Sequence, residues 1–415
     1  MQLLIIADDF TGALDTGTQF SKRGVATTLL LYDSMTPAQF SDCAAEVVVV
    51  DTESRHLSAD AAAQRVRATT QLAKDAGCRI FFKKTDSTLR GNLGSELAAM
   101  QDVCGAKQLW FAPAYPALGR TTRGGMHYVH GVPLAQTDFA DDPFNPIVSS
   151  SVAAILSAQT DRPIRSTIAG RLLAAPEVPE VVVVDGQTDE ELRQTARTLS
   201  AAGQLTCLAG CAGFAAALEA VLPLRRAQQR PRRTPGGLLL VCGSIHPQSV
   251  AQCRYAAEQC GYLDRPLTPL QMLSQQNDCD ELIDEVCAAL QNGRHALVRV
   301  AGGREMLAQT ASAAGRFAIP PEDIPPRVAA KLGRITAAIL RRQSVSALTV
   351  FGGDTLLGIA AALGCVAVSP ETELLPGVVL SRMETLSGSF DLITKAGGFG
   401  EEALMAQIEC RLQEI

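Results

Sequence analysis

Several signatures are missing from this chain, and each absence removes a class of function. There is no G-x-x-x-x-G-K-[ST] anywhere, so this is not a P-loop protein. The 12 cysteines include no C-x-x-C pair, the closest spacing being Cys207 with Cys211, which argues against zinc or a disulfide framework and for reduced, buried thiols. Histidine is scarce, at 5 residues. His127 and His130 in MHYVH come near metal-ligand spacing, but no acidic or thiolate partner stands beside them, and no metal is expected there. No apolar run approaches the roughly 18 residues of a membrane span. Met1 leads into an apolar stretch without a basic segment or cleavage site, so a cytoplasmic protein is expected. Like charges form no block, and with a net charge of −6 neither nucleic acid nor membrane is an expected partner.

What is present is ordinary globular composition, 47% hydrophobic and 19% charged, in 415 residues. That length exceeds what one core accommodates and predicts more than one domain. Short β-branched runs alternate with Ala- and Leu-rich stretches, the pattern of βα units on a parallel sheet. Strands are predicted over 2–7, 26–32, 46–51, 78–84, 107–112 and 180–184, then over 238–244, 295–300, 347–353 and 389–396. Between Leu224 and Gly237 the text becomes RRAQQRPRRTPGG, polar and without hydrophobic period, and reads as a linker. The fold class expected is α/β, with two domains over 1–230 and 237–415, each a largely parallel sheet flanked by helices, and a cleft between them. Pro113 to Pro146 is long, rich in Pro and Gly and weakly periodic, the profile of a functional or disordered loop.

Three polar clusters follow apolar strands in the first half. Asp8 and Asp9 end the first, Asp51, Glu53 and Arg55 follow VVVV, and Lys83, Lys84, Thr85, Asp86, Ser87 and Arg90 close RIFFKKTDSTLRGN. Strand ends of a parallel sheet share one edge, where open α/β sheets bind ligands. Cations beside carboxylates and hydroxyls suit a small polyhydroxylated acid: the cations grip its carboxylate and the other groups bond its hydroxyls. A surface ion-pair network is the plainer alternative, and for Asp8 or Asp9 so is a helix cap. The order Asp8, Asp9, Asp51, Lys84 also imitates a phosphorylation-receiver domain, and a non-catalytic sugar-acid binder is a further class to separate.

The second half carries small-residue turns between strand and helix at Ser244, at Gly352, Gly353, Asp354 and Thr355, and at Gly397, Gly398 and Gly400. Such turns offer free N–H groups and a helix dipole to an anion, and three in one domain predict a polyphosphate. Gly398-x-Gly400-x-x-Ala403 matches the dinucleotide fingerprint but stands too near the end of the sequence for a ribose-binding acid to follow it.

With IADDFTGALDTG, DTESRHLS, KKTDSTLRGN, APAYPALGRTTRGG, CGSIHPQS, FGGDTLLG and TKAGGFG in this order, the chain resembles the four-carbon acid sugar kinase family along essentially its whole length. The resemblance implies an N-terminal domain for a tetronate-type acid and a C-terminal domain for ATP with Mg²⁺. ADDFTGALDTG points within the family to D-threonate as substrate, with D-erythronate or a 3-oxo-tetronate as the alternative. Carried over by motif, the substrate residues are Asp9, Arg55, Lys83, Lys84, Thr85 and Asp86. The ATP residues are Ser244, Gly352, Gly353, Asp354, Thr355 and Gly397. The motifs leave open which carboxylate accepts the hydroxyl proton. Asp9 and Asp86 are the catalytic candidates, and Asp354 follows because GGDT is similar to the GAGD turn of ribokinase-like kinases. Asp354 is also the candidate oxygen ligand for Mg²⁺, domain closure about the linker is expected, and a homodimer is the assembly considered.

Overall fold

The computed structural model describes residues 1–142, 145–226, 236–275, 279–300, 302, 306–395 and 397–414. Two compact units divide the chain, Met1–Gln228 and Gln229–Ile415. Of the expected linker, residues 227–235 lie outside the described residues.

The first unit opens with β1 (Leu3–Ala7), α1 (Phe10–Ser21), β2 (Thr27–Leu31), α2 (Pro37–Ser41), β3 (Val47–Asp51), α3 (Ala59–Asp75) and β4 (Ile80–Lys84). It continues through α4 (Leu93–Cys104), β5 (Gln108–Ala112), β6 (Arg120–Arg123), β7 (Met126–Val129), β8 (Val132–Pro133) and α5 (Val152–Ser157). It closes with β9 (Ile164–Thr167), β10 (Glu180–Val184), α6 (Asp189–Ala201), β11 (Cys207–Gly210) and α7 (Ala212–Glu219). Its sheet runs β2-β3-β1-β4-β11-β5-β10-β9 and every neighbouring pair is parallel. Runs such as LLIIA and VVVVD are buried along their whole length, because helices cover both faces of a parallel sheet. The order turns around at β1: β3 lies on one side of it and β4 on the other, which opens a crevice at their carboxyl ends.

The second unit contains β12 (Leu238–Cys242), α8 (Pro247–Gln259), β13 (Leu263–Leu267), α9 (Pro269–Leu273), α10 (Asp280–Gln291), β14 (Ala296–Val300) and α11 (Met306–Arg316). Then come α12 (Ile324–Arg342), β15 (Ala347–Phe351), α13 (Gly353–Leu363), β16 (Cys365–Leu375), β17 (Val378–Thr385), β18 (Gly388–Lys395) and α14 (Leu404–Glu414). Strands β13-β14-β12-β15-β18 are parallel, and β18-β17-β16 finish as an antiparallel meander. The same reversal recurs here at β12, between β14 and β15.

Each predicted strand is found, while others were not anticipated. β11 sits in the middle of the first sheet, yet CLAG lacks β-branched residues and takes its conformation from the neighbours that enclose it. In β16 the register shifts near Pro370, an irregularity of the kind at which strand prolines are tolerated. The stretch expected to be a long loop instead folds β6, β7 and β8 into a small antiparallel sheet.

Candidate functional site

At the crevice of the first unit, the side chains after β1, β3 and β4 converge. Asp9 is the N-cap of α1, its side chain accepting from Gly12 N at 3.2 Å, so the capping reading is correct. It also faces Arg55 at 2.8 Å, so the cap does not occupy the carboxylate alone. Arg55 is gripped as well by Asp8, at 2.7 Å from Nε, and stands 3.8 Å from Asp86. Burial pushes the Asp8 carboxyl up, but Arg55, Lys83 and Lys84 outweigh it and bring it down to about 2. Three buried polar atoms at adjacent strand ends, Asp8 Oδ1, Asp51 Oδ2 and Thr85 Oγ1, have no partner among the described residues. Orphans of this kind are costly unless something else bonds them.

Consecutive residues of a strand face opposite sides, and this separates the two lysines. Lys84 Nζ lies beside α1 near Asp9: a Cβ added to Gly12 would stand 2.4 Å from Asp9 Oδ1 and 2.5 Å from Lys84 Nζ. Only glycine lets the helix come this close. Lys83 points the other way, completely buried, to Glu96 of α4 at 3.2 Å and the Lys84 carbonyl at 2.8 Å. The Lys83 ammonium that the motif assigns to substrate is thus engaged by Glu96 in an internal ion pair. Glu96 also accepts from Ser54, which ties the loop after β3 to α4.

Asp86 accepts from Thr88 N at 3.2 Å, from the Thr88 hydroxyl, and from Arg90 Nε and Nη2 at 2.9 and 3.1 Å. Burial opposes its ionisation, yet Arg55 and Arg90 with these hydrogen bonds hold the carboxyl far below the usual carboxylate range. Both oxygens are engaged, which leaves Asp86 weakly basic. Arg90 reaches on to Asp142 at 3.1 Å. Asp51 is driven upward by burial and then by Glu53. At 1% exposure it is inaccessible to a phosphoryl donor, which removes the receiver reading.

Among the described residues no group of three His, Cys, Asp or Glu side chains is placed to hold a metal ion. His127 Nε2 donates to the Ser87 carbonyl at 3.0 Å, so its Nδ1 accepts from Thr122 Oγ1 at 2.9 Å. Burial lowers its pKa to about 4 and keeps it neutral. It pins the small sheet to the loop that carries Asp86.

In the second unit a pocket of about 550 Å³ lies at the carboxyl ends of β12 and β15. The turn at Ser244 and the turn Gly352, Gly353, Asp354 and Thr355 share one end of it. No side chain caps α13, whose first-turn residue Asp354 is exposed, so its N–H groups are available to an anion. Ser244 Oγ accepts from His246 N at 3.2 Å. The remaining wall is apolar, with Met272, Val300, Met306, Leu307, Ile324 and Val328. Sequence reasoning missed these residues because they carry no signal that separates a pocket wall from core.

Gly397 does not line this pocket. Strand β18 ends at Lys395 and α14 begins only at Leu404, so strand, glycine turn and helix follow in the expected order but the turn stands apart from the helix start. The turn reaches the site indirectly, through Gly398 against the ring of His246.

Residues 3–218 match the family described as sugar-binding N-terminal domain, and residues 239–405 the one described as nucleotide-binding C-terminal domain. A D-threonate kinase of Salmonella typhimurium is 31% identical over 100% of this chain and 99% of its own length. A D-erythronate kinase of Heliobacterium modesticaldum is 29% identical over 96% of this chain and 94% of its own. Among solved structures, a Haemophilus influenzae protein covers 98% of this chain and 99% of its own with a TM-score of 0.77 at 21% identity, a likeness of fold.

Proposed function

We propose a particular phosphoryl transfer from one premise: the chain belongs to the four-carbon acid sugar kinase family. It is a carbohydrate kinase, a phosphotransferase to an alcohol group of a four-carbon sugar acid. The acid we propose is D-threonate and the product D-threonate 4-phosphate. The D-threonate kinase similarity, which spans the whole chain, supports that choice by its higher identity, 31% against 29% for the D-erythronate kinase and 27% for a 3-oxo-tetronate kinase.

The observation that carries the reading is a division of chemistry. Carboxylates, cations and unsatisfied hydroxyl partners meet at one strand edge of the first unit. In the second unit, two helix starts meet one end of an otherwise apolar pocket, which suits phosphates followed by a base and sugar. Asp9 is the proton acceptor proposed, because its carboxylate is partly exposed, whereas both oxygens of Asp86 are occupied. Asp86 instead orients Arg90 and Arg55. Lys84, Thr85 and Arg55 contact the acid. Ser244 and Gly352 to Thr355 hold the ATP phosphates, with Gly397 supporting from outside through Gly398 and His246.

Magnesium fits this donor set. Mg²⁺ keeps waters and substrate phosphate oxygens and asks the protein for one or two carboxylates, so the exposed Asp354 beside the Thr355 hydroxyl suffices. Bound there, it would neutralise charge on the nucleotide phosphates.

The test is ADP release with Mg-ATP against D- and L-threonate, D- and L-erythronate and the 3-oxo acids. D-Threonate should give the highest kcat/KM. Binding of ATP without ADP release from any of these acids would overturn the kinase reading.

A further inference from the structure

The acid site holds more cations than those that the shared motifs assign to substrate, and their partners distinguish them. Arg55 is committed to Asp8, Asp9 and Asp86, and Arg90 to Asp86 and Asp142. Lys84 is balanced by the charges of Asp9 and Asp8, and Lys83 is locked to Glu96. Arg120 differs. Among the described residues no carboxylate comes within ion-pairing distance of it, and its Nε is buried without a partner. Its Nη1 donates to the Leu118 carbonyl and lies 3.2 Å from His130 Nε2, neither of them a carboxylate, so they orient the guanidinium without cancelling its charge.

The fold places this group with care. Gly119, at φ 69°, turns the chain into β6 and leaves room for the His130 ring, since a Cβ there would stand 2.3 Å from His130 Nδ1. Strand β6 is bound through Thr122 and His127 to Ser87, next to Asp86. Arg120 is near enough to Asp86 and Arg90 for their charges to act on it. Burial lowers the affinity of its guanidinium for the proton, opposite to the upward shifts of Arg55, Arg90 and Lys84, as expected of a cation that lacks a counter-charge.

We infer that Arg120 is the carboxylate clamp of the acid site and the residue that makes the enzyme select a sugar acid over an uncharged polyol. This rests on the kinase reading above: Arg55 contacts the acid while ordering Asp8 and Asp9, and the grip on the carboxylate falls to Arg120. The substrate brings one carboxylate, and Arg120 has a fork of donors with nothing anionic on it.

The experiment compares the tetronate with the corresponding tetritol, which offers hydroxyls without the carboxylate, in the full-length enzyme and in Arg120→Gln and Arg120→Lys. Wild-type turnover of the acid is measured first, and its absence with every tetronate defeats the kinase reading rather than this one. Given that turnover, Arg120→Gln should lower kcat/KM for the acid by about 10²- to 10³-fold, mostly through KM. Tetritol turnover and the KM for ATP should stay as they are, so that the preference for the acid collapses. Arg120→Lys, which keeps the charge, should hold most of that preference and carries the test where the glutamine variant does not accumulate folded. An equal loss for acid and tetritol in either variant, or an unchanged preference in Arg120→Gln, would overturn the assignment.

Discussion

Asp9 illustrates why a single residue admits two readings. Its side chain caps α1 and is salt-bridged to Arg55, so the cap holds the carboxylate at the crevice. As proton acceptor, Asp9→Asn should lose at least about 10² in kcat with ATP affinity intact, because the amide still caps but accepts no proton. Near-normal turnover in that variant would shift attention to Asp354. Lys83 gives the opposite case. Lys83→Met should destabilise the protein by about 3 to 5 kcal/mol in denaturant titration, since Glu96 is left buried and uncompensated. The double variant with Glu96→Leu should regain much of that loss. If Lys83→Met instead left stability intact and raised the KM for the acid, Lys83 would face substrate after all. Asp8 sets an acid limit. Its folded carboxyl is depressed to about 2 from the ordinary 3.8, so its contribution to stability is complete above the higher value and disappears as pH falls through the lower one. Acid titration of Asp8→Asn should lack this part of the destabilisation between those two values.

At the scale of one helix, α1 shows a close approach that propensity disfavours. Glycine inside a helix costs roughly 0.5 to 1 kcal/mol relative to alanine. Gly12 is retained next to Asp9 Oδ1 and Lys84 Nζ, where a Cβ would collide with both. Gly12→Ala should therefore cut kcat at least about tenfold by displacing the base and the lysine. Helix content by circular dichroism should not fall, and an active Gly12→Ala enzyme would show that the crevice tolerates a wider separation. The aspartates after the first strand were legible in the sequence as site candidates. The contact that demands glycine was not, because Lys84 lies more than seventy residues away.

Over the whole molecule, the chemistry is divided between two units that repeat one topological device, a reversal of strand order that leaves loops at the carboxyl ends of central strands. Binding should divide in the same way. By calorimetry on the full-length protein, Asp354→Ala should weaken Mg-ATP binding and leave tetronate binding alone. Arg120→Gln should do the reverse. A tetronate affinity that falls with Asp354→Ala would contradict this allocation of roles. The helices and strands described include no helix long and apolar enough to cross a membrane.

Local text was sufficient for most of the parallel strands, for the polar residues at their ends and for the family, because buried strands are mostly written as unbroken apolar runs and crevice residues interrupt them. It could not separate Lys83 from Lys84, since adjacent strand residues part to opposite faces and the faces are defined by which helices pack there. Nor could it show that Arg55 and Arg90 are already paired while Arg120 is not, because those partners come from other strands and loops. The apolar half of the pocket proposed for nucleotide was hidden for the same reason. Met272, Val300 and Ile324 read as core until the ends of β12 and β15 leave a space between them and the two helix starts. Charge pairing and concavity are properties of distances between remote segments, and only the packed chain sets those distances.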